Sequence, residues 1–306
     1  MTNSPTYSSR FAFAGVIIAV LSYAWSAIFI RIAADASPLA IAFYRMLIAA
    51  VFWAPAFWWR PRNEARVKFS SRQIKFVLLA GVFLCCHFAT WITSLRYTTV
   101  ASAVFMILMQ PVLVAIAAHF ILKERLQKIH VIGLVITVIG AMIITWGDVQ
   151  IKPEYLGGDL LAFIGAGLAG AYLMVGRFAR PDHPEHGGGV PLHRYLPPVY
   201  AVATIGLYLL CLLNGVKLTG FETNTWWALL GVGLIPTVIG HSLFNWAIRY
   251  LPALPVNIAL VGEPIGATLL AWWLFKETPA AGILVGGPLM ILAVVLIVLT
   301  PQQTKH

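Results

Sequence analysis

Charge is what this sequence has least of. Only 10% of its 306 residues are Asp, Glu, Lys or Arg, whereas soluble domains average about a quarter. With 60% hydrophobic residues and a mean hydropathy of +0.84, too little polar surface exists to cover a globule in water. A soluble enzyme, a nucleic-acid-binding domain and a disordered chain are excluded on that ground. Cysteine is scarce too. Cys85, Cys86 and Cys211 lie in apolar runs, with no C-x-x-C spacing of a metal or redox site, and read as small buried hydrophobes. Also missing are the alternating apolar and polar strands of an outer-membrane barrel, an H-E-x-x-H helix and a P-loop. No cofactor and no metal are expected. What remains is an all-α, polytopic membrane protein, expected to be monomeric, whose partners are the lipid bilayer and a small-molecule substrate.

A span takes about 20 residues. Ten apolar runs qualify, at 11–33, 38–59, 74–95, 100–122, 129–146, 157–178, 195–214, 226–248, 254–275 and 281–300. Ala34-Asp35-Ala36 imitates a signal-peptide cleavage site. The run before it is too long for a typical h-region, and another span follows at once, so it counts as a span. A net charge of +10 would point a soluble protein towards nucleic acid. Here it reports orientation. With the N-terminus inside, fifteen Lys and Arg fall on the inner side, among them Arg60, Arg62, Arg66, Lys68, Arg72 and Lys75, while five fall outside: Arg31, Arg96, Lys152, Lys217 and Lys276. The positive-inside rule then predicts two cytoplasmic termini in a multi-pass protein of the bacterial inner membrane.

The chain also repeats itself. At an offset of 153 residues, Arg96-Tyr97 falls on Arg249-Tyr250, Gln110-Pro111 on Glu263-Pro264, Lys123-Glu124 on Lys276-Glu277, and Gly133 on Gly286. Two units of five spans follow, 1–150 and 151–306. An odd number of spans turns the second unit upside down. Inverted repeats around a central site are a transporter architecture, in which the halves exchange roles. A duplicated static scaffold is the alternative.

These residues resemble the drug/metabolite transporter superfamily, EamA type with ten helices. Ala24-Trp25-Ser26, Phe29 and Arg31 in the first span, Phe43-Tyr44-Arg45 in the second, and the paired Pro111…Lys123-Glu124 and Glu263-Pro264…Lys276-Glu277 carry the resemblance. It runs from about residue 11 to residue 300 and lies nearest to bacterial aromatic amino acid exporters. It implies a basket of helices around a central cavity, with the fifth and tenth helices to one side. Many members carry Gly where this chain has Ser26.

Polar groups inside a bilayer are costly and face a cavity or a partner helix. Span three carries His87, Thr90, Trp91 and Ser94 on one helical face. Span eight carries Thr237, His241, Asn245 and Arg249, each four apart. Span one offers Ser22, Trp25, Ser26 and Phe29, and span six offers Tyr172. These faces are expected to line a cavity, with aromatic rings stacking on the substrate and His241 and Asn245 holding its polar end. Interhelical hydrogen bonding is the alternative. Glu263, whose repeat mate is Gln110, is the only carboxylate in the middle of a span. It reads as a buried group beside the break at Pro264, with proton coupling as the sharper alternative. Arg45 and its partial mate Arg194 are expected to snorkel to the headgroups or cap helices; a substrate carboxylate on Arg45 is the other option.

Two patterns mislead. Gly165-Ala166-Gly167-Leu168-Ala169-Gly170 spells G-x-G-x-x-G, but it lies within a span with no strand before it. Its neighbourhood, Gly158, Ala162, Ala166 and Gly170, instead allows close helix packing. His183, His186 and His193, with Asp182 and Glu185, lie in a Pro- and Gly-rich linker rather than a metal site. The expected function is export of small metabolites, most of all aromatic or large neutral amino acids, by alternating access. A lipid-modifying membrane enzyme, a drug transporter and a channel are the alternatives.

Overall fold

The computed structural model describes residues 6–58, 69–121, 128–179, 192–240, 242–243 and 262–299. Among these residues there are helices and no strand. In chain order they are α1 Thr6–Ile32, α2 Pro38–Trp58, α3 Ser71–Ser94, α4 Val100–Ile107, α5 Met109–Ile121, α6 Lys128–Ile151, α7 Tyr155–Ala179, α8 Leu192–Leu213 and α9 Thr223–Val232. A π-helical segment, Gly233–Gly240, continues α9, and α10 Gly262–Phe275 and α11 Ala281–Leu299 complete the set. Five stretches are long and apolar enough to cross a membrane: Ala14–Ile32, Pro38–Pro55, Ser71–Ser94, Tyr155–Gly176 and His193–Leu213. Val100–Val114, Val131–Gly147 and Ala281–Ala293 are shorter apolar stretches. Parts of the predicted eighth and ninth spans lie outside the described residues.

Prolines decide where these helices break. Pro111 has no N–H for the carbonyl of Ile107, four residues back, and the predicted fourth span splits there into α4 and α5, with Leu108 closing α4. Pro236 likewise frees the carbonyl of Val232. The Thr237 hydroxyl donates to that oxygen at 3.0 Å, and the ladder slips by one residue into the π segment. This bears on Thr237, the first residue of the polar stripe expected on span eight. A π-helix does not stack residues four apart, and Thr237, 1% exposed, serves its own backbone. His241, Asn245 and Arg249 lie outside the described residues.

Small residues let the helices meet closely, as the sequence pattern predicts. On α7, Ala162 and Ala166 are fully buried. A Cβ on Gly165 would sit 3.2 Å from Cβ of Trp91 on α3, and one on Gly170 would sit 2.9 Å from Val114 of α5. Between α3 and α8 the sulfur of Cys85 occupies the space beside Gly206. Cys85 and Cys211 are buried as expected, and Cys86 is half-buried. The corresponding contacts of α1 put Phe29 against Gly231 and Tyr23 against Gly240, while Val20 and Ala24 meet Gly262 and Gly266 of α10. Helices α2 and α8 pack together, and so do α6 and α11, the fifth and tenth predicted spans.

The α6–α11 contact shows how tight this packing is. A Cβ on Gly140 would lie 2.6 Å from Cγ of Met290 and 2.8 Å from the carbonyl oxygen of Gly286. Gly140→Leu is therefore expected to destabilise the protein by at least about 1–3 kcal/mol. Gly157→Ala, whose new Cβ meets nothing within 4 Å, should leave the thermal midpoint in detergent unchanged. Equal midpoints for the two variants would show that α6 and α11 do not depend on backbone contact.

Candidate functional site

The polar groups of the membrane core gather around Arg45. This side chain is only 3% exposed, so it does not snorkel, and the expected headgroup position is corrected. The reason is how the start of α2 packs. The hydroxyl of Tyr44 donates to the Leu218 carbonyl at 2.5 Å. The Tyr44 ring also packs edge-on against Trp226, with centroids 5.2 Å apart. Tyr44 thus ties the start of α2 to α9 and to the connection before it, while Arg45 turns onto α1 and α3. Arg194, the partial mate, is half-buried with its guanidinium 5.6 Å from the Phe57 ring centre.

Two neighbouring helices hold the buried guanidinium. Its Nη1 donates to Ser26 Oγ of α1 at 2.6 Å. On α3, the Phe88 ring centre lies 4.4 Å and the Trp91 ring 5.5 Å from its central carbon. Both are within cation–π range, which is worth more when the charge is desolvated. Around this group stand Tyr23, Tyr200 and Glu263, each interacting electrostatically with Arg45, and Tyr172, which interacts with both Tyr23 and Tyr200. Arg45 and Glu263 share a region without closing a salt bridge. The site therefore joins α1, α2, α3, α7, α8 and α10.

The predicted site residues fall into three groups. Ser26 and Trp91 contact Arg45 directly, Glu263 interacts with it electrostatically, and Tyr172 is linked to it through Tyr23 and Tyr200. Others serve the scaffold. His87 donates from Nδ1 to the Gly165 carbonyl at 2.8 Å and lies parallel to Trp91, with ring centres 6.1 Å apart. Thr90 and Ser94 donate to carbonyls of their own helix. Ser22 does the same, to Ile18 at 2.7 Å. Gln110, half-buried at the start of α5, lies against Gly170 of α7. Trp25 packs on Phe29 and borders a groove of about 430 Å³ lined by Ile18, Leu21, Ser22, Phe29 and Ile235. His241 and Asn245 lie outside the described residues. Sequence reasoning missed Tyr23 and Tyr200, both buried. The available signal was a hydroxyl inside an apolar run. For Tyr200, Pro197 and Pro198 also mark the helix around it.

One end of the bundle is tied shut. Arg31 Nη2 donates to the Thr98 carbonyl at 2.6 Å and lies 4.0 Å from Glu277, the outer limit of an ion pair. Glu277 Oε1 accepts the Val100 N–H at 2.7 Å and so caps α4. Burial holds the Glu277 carboxyl above its ordinary pKa, against the opposing pull of Arg31 and that N–H. Arg96 donates to the carbonyls of Ala33 and Ala36. Buried Asp159 accepts the hydroxyls of Thr98 and Ser102, both at 2.7 Å. Asp35 accepts the Thr225 hydroxyl and, at 2.8 Å, the Glu222 N–H.

The EamA-like transporter family model matches residues 10–146 and, a second time, residues 156–299. The chain belongs to the EamA-like transporter family. It is thus a multi-pass membrane protein of the drug/metabolite transporter superfamily, and its relatives are transporters. This EamA-family chain is 24% identical over 286 residues to an uncharacterized transporter of Archaeoglobus fulgidus, covering 91% of this chain and 94% of that protein. A second uncharacterized transporter of that organism is 27% identical over 228 residues, covering 74% and 77%. The uncharacterized transporter YyaM of Bacillus subtilis is 25% identical over 207 residues, 66% of each chain, so the match spans about two thirds of its length. A solved crystal structure superimposes with a TM-score of 0.63 at 18% identity, covering 94% of this chain and 98% of its own, which shows the fold.

Asp35 offers a pH test of the closed end. The Thr225 hydroxyl and then the Glu222 N–H lower its pKa from the ordinary 3.8. Its folded value lies below its unfolded one, so these bonds stabilise the fold above the ordinary carboxylate pKa. That contribution is lost as pH falls through the folded value. Asp35→Asn should therefore flatten the loss of thermal stability between about pH 5 and pH 3 and shift the neutral-pH midpoint only slightly. An acid limb as steep as that of the wild type would show that Asp35 carries none of it.

Proposed function

We propose that this EamA-family protein is a secondary exporter of amino acids, aromatic or large neutral ones, that works by alternating access between two inverted five-helix halves. The observation that carries the reading is the buried guanidinium of Arg45, bonded to Ser26, facing the Trp91 ring, and interacting electrostatically with Tyr200 and Glu263 of the second half. A static scaffold has little use for a desolvated guanidinium, since apolar packing is as stable or more so. Buried ionisable groups at membrane depth mark substrate or ion pathways. Aromatic walls favour a flat apolar side chain.

The halves 1–150 and 151–306 are supported by two things. The family model matches each half once. The packing also maps onto itself when the halves are exchanged: α3 on α7 corresponds to α9 and the π segment on α1, while α2 on α8 and α6 on α11 map onto themselves. The count of fifteen basic residues against five supports an inner-membrane protein with cytoplasmic termini. In that orientation the tied end bearing Arg31, Arg96 and Glu277 faces outward.

Counterflow into proteoliposomes tests the substrate reading. Vesicles loaded with unlabelled phenylalanine, tyrosine or tryptophan should accumulate the labelled form of the same compound, and cationic drugs and nucleosides should not exchange. Exchange of drugs or nucleosides alone would replace the amino-acid reading. Orientation is tested separately. An impermeant thiol reagent should label Lys217→Cys and spare Ser71→Cys on intact cells, and the reverse pattern would invert the assignment.

A further inference from the structure

Two hydrogen-bond donors at the centre of the molecule have nothing to donate to. Arg45 Nε and Trp91 Nε1 are buried and have no partner among the described residues. They are not scattered. The guanidinium lies 5.5 Å from the Trp91 ring, and the two residues stand on facing helices, α2 and α3. Buried donors are normally satisfied, so each exception needs a reason. Packing does not supply one here. Trp91 is fixed by His87 stacked on one face, and Arg45 is fixed through Nη1 on Ser26. Each is held rigidly in place by one part of its side chain while another N–H is left without a partner.

We infer that Arg45 and Trp91 form a carboxylate subsite, with Glu263 across from it receiving the ammonium of the same substrate. The chemistry of the donors selects the ligand. A guanidinium edge and an indole N–H offer hydrogens only, and one of them is permanently charged, so the complement is an anionic acceptor. The Phe88 ring, 4.4 Å from the guanidinium carbon, and the Trp91 ring exclude water and favour an apolar group beside the carboxylate. Glu263 supplies the opposite charge. It follows Gly262, which packs on Val20 of α1, and precedes Gly266, which packs on Ala24. That places it along α1 from Ser26, the residue holding Arg45. Glu263 and Arg45 interact electrostatically without forming an ion pair, so each charge is open to a ligand that bears the opposite one. A zwitterion satisfies both residues at once. A monoanion satisfies Arg45 and meets repulsion from Glu263; a monocation leaves the orphan donors unfilled.

The ammonium half of this inference rests on the amino-acid reading, and the anion half does not. Both are tested by binding of three probes to purified protein in detergent: phenylalanine, 3-phenylpropionate, which lacks the amine, and phenethylamine, which lacks the carboxylate. Wild type should bind phenylalanine most tightly, 3-phenylpropionate next and phenethylamine least. Arg45→Gln should weaken both carboxylates at least about tenfold and leave the amine unchanged. Arg45→Lys, which keeps the charge without the fork, should fall between. Glu263→Gln should remove the preference for phenylalanine over 3-phenylpropionate. If 3-phenylpropionate binds to wild type and not to Arg45→Gln while phenylalanine fails with both, the anion subsite stands and the amino-acid reading falls. An unchanged phenylalanine to 3-phenylpropionate ratio in Glu263→Gln overturns the ammonium role. Carboxylate affinity equal to wild type in monodisperse Arg45→Gln, tightest binding of the amine by wild type, or no carboxylate binding at all overturns the subsite. Should Arg45→Gln fail to fold, Trp91→Phe keeps the ring and deletes the orphan N–H. It should weaken the two carboxylates several-fold and spare the amine, and equal losses for all three probes overturn the subsite.

Discussion

A guanidinium cannot be taken out of water cheaply, and the centre of this molecule is arranged around one that has been. Desolvating an ion costs several kcal/mol even after relaxation. Arg45 recovers part of that through Ser26 Oγ and through the faces of Phe88 and Trp91. Each of those groups must then be placed. Ser26 needs α1 alongside α2, and Trp91 needs the close contact of α3 with α7 that Gly165 permits. His87 ties α3 to that helix by its bond to the Gly165 carbonyl. The small-residue contacts of the bundle and its one deeply buried cation among the described residues are therefore parts of a single constraint.

Backbone hydrogen bonding imposes the second constraint. In lipid an unsatisfied carbonyl costs several kcal/mol, so a break in a helix has to be repaired where it occurs. At Pro236 the repair is visible, because the Thr237 hydroxyl takes the Val232 carbonyl and the ladder continues as a π-helix. That break falls where the segment packs on α1 and α2, with Gly233 against Ile48 and Gly240 against Tyr23. Tyr23 belongs to the Arg45 cluster. A helix whose register has slipped beside the buried charge is a place where small rotations change what faces the site, as π-bulges at functional sites do.

Much of this architecture is legible in the amino-acid sequence. Apolar run length marks the spans, and the offset of 153 residues joins Gln110-Pro111 to Glu263-Pro264 and Lys123-Glu124 to Lys276-Glu277. Ala162 and Ala166 announce a helix face that is fully buried in the fold. The depth of Arg45 is not legible. Counting turns from the start of α2 measures distance from a helix end, and that equals distance from water only if nothing covers the end. Leu218 and Trp226 are tied to it through Tyr44, and no periodicity reports a loop folding back onto a helix. On span eight, residues four apart share a face only while the ladder is α, and around Thr237 the break at Pro236 replaces it with a π segment. The hydroxyls of Thr90, Ser94 and Ser22 bond to their own helix. Spacing cannot tell which acceptor a hydroxyl chooses.

Glu277 shows how the two halves of the chain depend on each other. It comes from the second half, yet it caps the first turn of α4 in the first half, through the Val100 N–H. In the proposed cycle this cap has to open when the end that bears it opens. Partly buried hydrogen bonds such as Val100 to Glu277 and Tyr44 to Leu218 are worth about 0.5–1.5 kcal/mol each, and the exposed contacts of Asp35 add less. A latch of this strength holds one state over the other by a factor that a modest differential affinity for substrate can reverse. A far stronger latch would lock the carrier, and none would leave it open at both ends.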